Sequence, residues 1–429
     1  MDYFAKHQVG DSCLSEVLST VENSLRSFYA KLDLKDGTTR LHCSTLGADE
    51  LLAFCTAFLE GNITVGAYND AFQKLAASTF DSSYAVTSNS GSSANLLAIS
   101  ALVQTGRLRP GDRVIVPALA WSTTVFPIVQ YGLVPIYVDI DPNSFNIDLS
   151  ACEEAIHEHH PRALMAIHTY GNPINMDKLL GICNSANILL IEDTCESMGA
   201  KWKGKSVGSF GIAGTYSSYF SHHICTLEGG LTITNDSELL QSMLSIRSHG
   251  WTRGTGIDIS SIPDLCRYDP TFLFVNCGYN LRLSDPQAAI GIVQLNKLAA
   301  FVSSRQNTAN HYIDRILSSP VLSEHVCFPQ VHSHAESSWF GFPLFFPKLN
   351  KRKVDTLRVR LKETGIETRP FLAGDFSSQP VNKAFTHIRH NLNNIKLFHE
   401  SSFALPCHQD VSLEEVDKIC DQLINQLSN

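Results

Sequence analysis

Through the middle of the chain, short apolar runs alternate with segments of helical apolar spacing, which predicts strands interleaved with helices. Arg113–Pro117, Val134–Asp139, Ala163–His168 and Ile188–Asp193 have the length and near-continuous apolarity of strands covered on both faces. Between them, Thr124–Tyr131 and Met176–Ala186 carry apolar residues at helical spacing. The pattern predicts an α/β fold, a mainly parallel sheet with helices packed on it, over residues 46–298. Beyond Leu295 the pattern changes. A long helix is expected over Leu298–Leu317, a strand over Trp339–Phe346, and helices over Lys351–Thr364 and Leu413–Leu427. Residues 299–429 therefore read as a smaller C-terminal α+β domain, and residues 1–45 as an N-terminal helix with an extended arm.

Composition narrows the classes. With 429 residues, 44% of them hydrophobic and 17% charged, the chain is long enough for a large core and a second domain. The net charge of -9 gives no footprint for nucleic acid. No stretch approaches the ~20 apolar residues of a membrane span. The N-terminus, Met1-Asp-Tyr-Phe-Ala-Lys-His7, lacks the features of a signal peptide, so a cytoplasmic protein is expected. The 12 cysteines are scattered from Cys13 to Cys420 without a CxxC pair; free thiols and no metal site are expected.

Three segments carry candidate chemistry. Ser90-Gly-Ser-Ser-Ala-Asn95 opens an apolar helix, and its unpaired backbone N–H groups and hydroxyls suit a phosphate, although a Ser-capped helix without a ligand reads the same way. Leu190-Ile-Glu-Asp193-Thr-Cys-Glu196 ends a buried strand in acids at the edge where open α/β sheets bind ligands. There Asp193 can pair with a cationic ring nitrogen or cap the next helix, and Glu196 can reach a ligand hydroxyl or complete that cap. The third segment joins Tyr216-Ser217 to His222-His223 and Glu228-Gly-Gly230. On extended backbone two neighbouring histidines point to opposite sides, so at most one of them serves a given pocket.

Together with Pro117–Thr123, Glu192–Ala200, His249–Arg253, Gly278–Arg282, Gln287–Gly291 and Gly365–Pro370, these segments resemble the sugar aminotransferase family of fold-type-I pyridoxal-phosphate enzymes. The resemblance runs from about residue 45 onward. It implies a mainly parallel seven-stranded sheet in the large domain, a cofactor phosphate held by Gly91, Ser92 and Ser217, and Asn280 completing that site in the partner of a homodimer. It further implies that Trp121 stacks on the pyridine ring, that Asp193 pairs with the ring nitrogen beside Glu196, and that Arg253 and Arg369 bind substrate.

Members of the family tether the cofactor to a lysine six residues before the Glu of Glu-Gly-Gly. That position holds His222, and no lysine occurs between Lys205 and Lys297. The chain thus resembles the branch in which histidine has replaced lysine to give sugar 3-dehydratases. The resemblance implies pyridoxal or pyridoxamine phosphate held non-covalently, His222 as catalytic base, His223 as a structural residue, L-glutamate as amino donor and a nucleotide-linked 4-keto-6-deoxy sugar as substrate. One sub-branch, that of colitose synthesis, takes a GDP-linked sugar; the other takes CDP-linked sugars and needs a [2Fe-2S] cluster with a reductase. Only Cys195 matches a cluster ligand, the other three positions being Arg253, Thr255 and Pro263, and one thiolate cannot hold a cluster. An aminotransferase and an inactive cofactor-binding protein are the remaining alternatives.

Overall fold

A computed structural model describes residues 11–31, 37–260 and 262–428. Its strands are β1 (Tyr84–Ser88), β2 (Arg113–Pro117), β3 (Val134–Val138), β4 (Ala163–Ile167), β5 (Leu189–Asp193), β6 (Ala213–Ser217), β7 (Gly230–Thr234), β8 (Phe342–Phe345), β9 (Arg369–Pro370), β10 (Ile388–His390) and β11 (Ser402–Leu405), apart from three two-residue strands in a minor sheet. The main sheet has eight strands in the order β1-β7-β6-β5-β4-β2-β3-β10. Only β7 runs antiparallel to its neighbours. The expected seven strands lie between Tyr84 and Thr234; the eighth, β10, comes from the C-terminal part of the chain and pairs Ile388 with Ile136.

Alternation within each strand explains the continuous apolar runs. Val114, Val116, Met165 and Ile191 face one layer, where they meet Leu97 and Leu102 of the Gly91–Gln104 helix and Leu239 and Met243 of the Ser237–Arg247 helix. Ile115, Leu164, Ala166 and Leu190 face the other, against Cys152 of the Leu149–His159 helix and Leu179 of the Met176–Ala186 helix. Both faces are dry, and each buried aliphatic side chain contributes roughly 1.5–3 kcal/mol.

The C-terminal unit is α+β: β8, β11 and β9 form a sheet, packed with Val416, Ile419 and Leu423 of the Leu413–Leu427 helix. Two expectations change in detail. The helix expected from Leu298 begins at Asp285 and runs unbroken to Ser318, so a boundary at 298 falls inside a 34-residue helix. The strand expected from Trp339 begins at Phe342, because Trp339 turns the chain at φ 47°. At the N-terminus, Asp11–Tyr29 is helical, and Thr39 bridges to Ile366, so the arm lies on the C-terminal unit; residues 1–10 and 32–36 of the expected helix and arm lie outside the described residues. No helix among the described residues is long and apolar enough to cross a membrane.

Candidate active site

Ser88, Pro117, Ile167, Asp193 and Ser217 end their strands at one edge of the sheet, and β7 begins there at Gly230. That edge opens into a cavity of about 590 Å³ lined by Gly91, Ser92, Trp121, Asp193, Glu196, Ser217, His222 and Arg369. Asn280 and Arg253, also expected at the site, do not line the cavity of their own chain. Asn280 accepts a hydrogen bond from Arg282 Nε at 2.9 Å, and the Arg253 guanidinium lies 5.5 Å above the Trp251 ring.

At one end of the cavity, Ser90 caps the Gly91–Gln104 helix by accepting from the Ser93 N–H at 3.0 Å. The N–H groups of Gly91 and Ser92, first in the helix, have no intrahelical partner and carry the positive end of its dipole. Close approach requires the glycines: a Cβ at Gly91 would lie 2.6 Å from Ser217 Cβ, and one at Gly230 2.2 Å from the Ser90 carbonyl oxygen. The result is an anion cradle with Ser217 Oγ beside it, and its donors fit a phosphate.

Strand alternation divides the two acids that end β5. Glu192 is fully buried and accepts from the N–H groups of Gly208, Phe210 and Gly211 at 2.7–2.8 Å. It also accepts from His168 Nε2 at 3.1 Å, the other His168 nitrogen being occupied by the Ile174 N–H. Glu192 therefore holds the fold. Asp193 turns to the cavity and accepts from Asn95 Nδ2 at 2.8 Å, Thr124 Oγ1 at 2.7 Å and the Cys195 N–H at 3.2 Å. Three donors fix a carboxylate that fits a cationic pyridine nitrogen. Trp121, at the N-cap of the next helix, leaves 56% of its surface open at the rim, a free aromatic face available for stacking.

Glu196 does not pair with Asp193. It accepts weakly from the Tyr170 N–H at 3.4 Å and sits 3.6 Å from Arg369. Burial pushes its pKa up to about 7 against the opposing pull of Arg369, so near neutral pH it holds or releases a proton. Arg369 is braced by Tyr170 Oη at 2.9 Å and by the face of Phe340 at 5.1 Å. Cys195 also lines the cavity, and burial holds its thiol protonated.

The two histidines separate, though not on extended backbone: the chain turns at Ser221 and bends through His222 and His223, and the His222 N–H donates to the Tyr219 carbonyl at 2.9 Å. His223 is fully buried and its Nε2 donates to the Ser338 carbonyl at 3.1 Å. His222 lines the cavity, its ring 5.0 Å from that of Phe340, and its Nδ1 has no hydrogen-bond partner among the described residues. Burial, then the charges of Arg369 and Arg305, push its pKa down to about 3. The imidazole is thus neutral, and it gains basicity only as negative charge enters the cavity to offset Arg369 and Arg305.

At His222 the unfolded chain takes up a proton near pH ~6.5 and the folded chain does not, so folding weakens as pH falls from ~6.5 toward 3, by at most about 1.4 kcal/mol per pH unit for this group. Thermal unfolding followed between pH 7 and 4 should show a shallower acid decline for His222→Asn than for the parent. Parallel profiles would mean that His222 is not held neutral.

Phe340, Asn95 and Thr124 were not assigned roles from sequence. Asn95 closes the Ser90–Asn95 motif, and Thr124 follows the Pro117–Thr123 motif and opens the predicted Thr124–Tyr131 helix. Phe340 arrives from a remote turn, pinned because the buried Arg305 guanidinium donates to the carbonyls of Trp339 and Phe340 at 3.0 and 3.2 Å.

A family model described as the DegT/DnrJ/EryC1/StrS aminotransferase family matches residues 45–424. The chain is 39% identical, over 84% of its length and 92% of the relative's, to a GDP-4-keto-6-deoxy-D-mannose 3-dehydratase of Escherichia coli O55:H7. It is 41% identical, over 78% of its length and 85% of the relative's, to one from Yersinia pseudotuberculosis. A solved E. coli GDP-4-keto-6-deoxy-D-mannose-3-dehydratase with bound hydrated PLP superposes with a TM-score of 0.83 at 37% identity, covering 90% of this chain and 99% of that one. Matched over nearly all of its described length in sequence and in fold, the chain belongs to the DegT/DnrJ/EryC1/StrS aminotransferase family.

Proposed function

We propose that the protein is a 3-dehydratase that uses pyridoxal and pyridoxamine phosphate, held non-covalently, to remove the C3 hydroxyl of a nucleotide-linked 4-keto-6-deoxyhexose. The relatives' names favour GDP-4-keto-6-deoxy-D-mannose as the substrate. The observation that carries this reading is a phosphate cradle, a ring-nitrogen carboxylate and a neutral imidazole around one cavity that no lysine lines among the described residues. A neutral imidazole takes and returns a proton but cannot tether an aldehyde as an amine does.

Gly91, Ser92 and Ser217 hold the phosphate, Trp121 covers one face of the ring, and Asp193 keeps the ring nitrogen protonated. When bound, the cofactor supplies an electron sink for the pair of electrons left as a proton departs next to its ring. His222 accepts that proton and so drives loss of the C3 hydroxyl. Glu196 shares a proton with the ring hydroxyl side of the site, and Arg369 anchors an anionic group of sugar nucleotide or glutamate at the mouth. Over the full cycle hydrogen replaces the C3 hydroxyl, glutamate supplies the two electrons and becomes 2-oxoglutarate, and ammonia is released. Asn280 and Arg253, lying outside their own cavity, serve the neighbouring one in a cytoplasmic homodimer.

The test is a panel of nucleotide-linked 4-keto-6-deoxy sugars incubated with pyridoxal phosphate and glutamate, with products identified by mass and NMR. A 3-deoxy ketone with one ammonia per turnover is expected, without added iron or reductase. Borohydride treatment of the cofactor-loaded protein should leave no phosphopyridoxyl-lysine. A product that keeps its C3 hydroxyl and gains an amine at C4 would make the chain an aminotransferase.

A further inference from the structure

Away from the cavity, Glu158, His159 and His390 form a cluster with the spacing of a metal site. Glu158 and His159 end the Leu149–His159 helix; His390 ends β10, the edge strand contributed by the C-terminal part of the chain. His159 Nε2 lies 3.3 Å from His390 Nδ1, and the Glu158 carboxylate oxygens lie 3.6 Å and 3.5 Å from those two atoms. Zinc bound tetrahedrally at about 2.0–2.1 Å from nitrogen requires neighbouring ligand atoms about 3.3–3.4 Å apart. The separation of the two imidazole nitrogens matches one such edge, and Glu158 turns one carboxylate oxygen to each nitrogen, so that one oxygen from it and the two nitrogens all lie within 4.8 Å of one another.

Three further observations point the same way. His390 is 4% exposed and His159 15%, so the imidazoles are positioned by packing, while Glu158 is open to solvent and leaves an entry path. The Arg113 guanidinium donates to the His159 carbonyl at 2.7 Å and fixes the helix end. Glu154, one helical turn before Glu158, also faces this group, its carboxylate 3.8 Å from His390 Nε2. Two like charges at i and i+4 repel each other on an isolated helix, and a cation between them and the imidazoles reverses that cost. The Asn391 amide lies between Glu154 and the non-ligating His390 nitrogen, 3.4 Å from each, and links that carboxylate to the imidazole as an outer contact.

We infer that Glu158, His159 and His390 form a site for a zinc-type divalent cation, with water completing the coordination, that clips the Leu149–His159 helix to the edge strand. The ligands are hidden in the sequence because His390 follows His159 by 231 residues. The site shares no lining residue with the cavity, so it stands or falls apart from the proposed dehydration.

Full-length protein treated with chelator and then titrated with Zn²⁺ by calorimetry, and with Co²⁺ by visible absorption, tests the inference. One equivalent per chain is expected, with a tetrahedral cobalt spectrum and a zinc-dependent rise in Tm. His159→Gln and the surface change Glu158→Gln should each remove the stoichiometric step, and Glu154→Gln, which takes away a nearby negative charge, should weaken it without removing it. Absence of a stoichiometric step in the parent would overturn the site and leave a hydrogen bond shared by two imidazoles. A step that persists unchanged in the folded His159→Gln protein would equally overturn it, by locating the metal elsewhere.

Discussion

His222→Asn is expected to lower dehydration by about 10²–10⁴-fold, the usual contribution of a general base, while leaving the cofactor bound. Asparagine keeps polarity and approximate size against Phe340, whose ring lies 5.0 Å from that of His222, but it has no lone pair basic enough to take the proton. The phosphate cradle and Asp193 are untouched, so cofactor absorbance should survive gel filtration as in the parent. His223→Asn provides the contrast. It removes the buried bond to the Ser338 carbonyl and should lower Tm, with dehydration per folded molecule largely retained. If His222→Asn dehydrates at a near-native rate, or if His223→Asn fails at the chemical step while its Tm is unchanged, the base has been misassigned.

The same pair shows what could be read from sequence. The position six residues before Glu228 selects the first histidine, and the structure turns His222 to the cavity and His223 into the core; the extended backbone expected there is instead a turn, so strand alternation is not what separates them. The strands of the sheet centre were legible to within a residue because both faces are dry and the runs are continuously apolar. β10 was not, since Ile388–His390 is three residues long with a charge in its middle and has no readable period. The long helix was read thirteen residues late for a different reason. Its first turns bury Ala288, Ala289, Ile290 and Gly291 together, which erases the amphipathic stripe. The start signal was Ser284-Asp-Pro-Gln287, where Pro286 sits in the first turn and the Ser284 N–H donates to Gln287 Oε1 at 3.2 Å. Phe340 reaches the cavity, and Arg305 holds its backbone from behind, only through tertiary contacts that no local pattern announces.

Asp193→Asn is expected to weaken cofactor binding by about 30-fold to several thousand-fold, the 2–5 kcal/mol cost of removing one partner from a buried, hydrogen-bonded charge pair. The environment of Asp193 is built for an anion: Asn95 Nδ2 and Thr124 Oγ1 donate to one oxygen, and the Cys195 N–H donates to the other. An amide can satisfy the first pair of donors only by turning its NH₂ toward the Cys195 N–H and the ring nitrogen. One buried donor then faces another, and the ring nitrogen loses the counter-charge that keeps it protonated. Turnover should therefore remain low even when added cofactor saturates the site, because the unprotonated ring is a poor electron sink. Titration of cofactor absorbance gives the affinity, and dehydration at saturation gives the chemical effect. Binding within a few-fold of the parent together with full turnover at saturation would show that Asp193 only positions the neighbouring helix and does not pair with the ring.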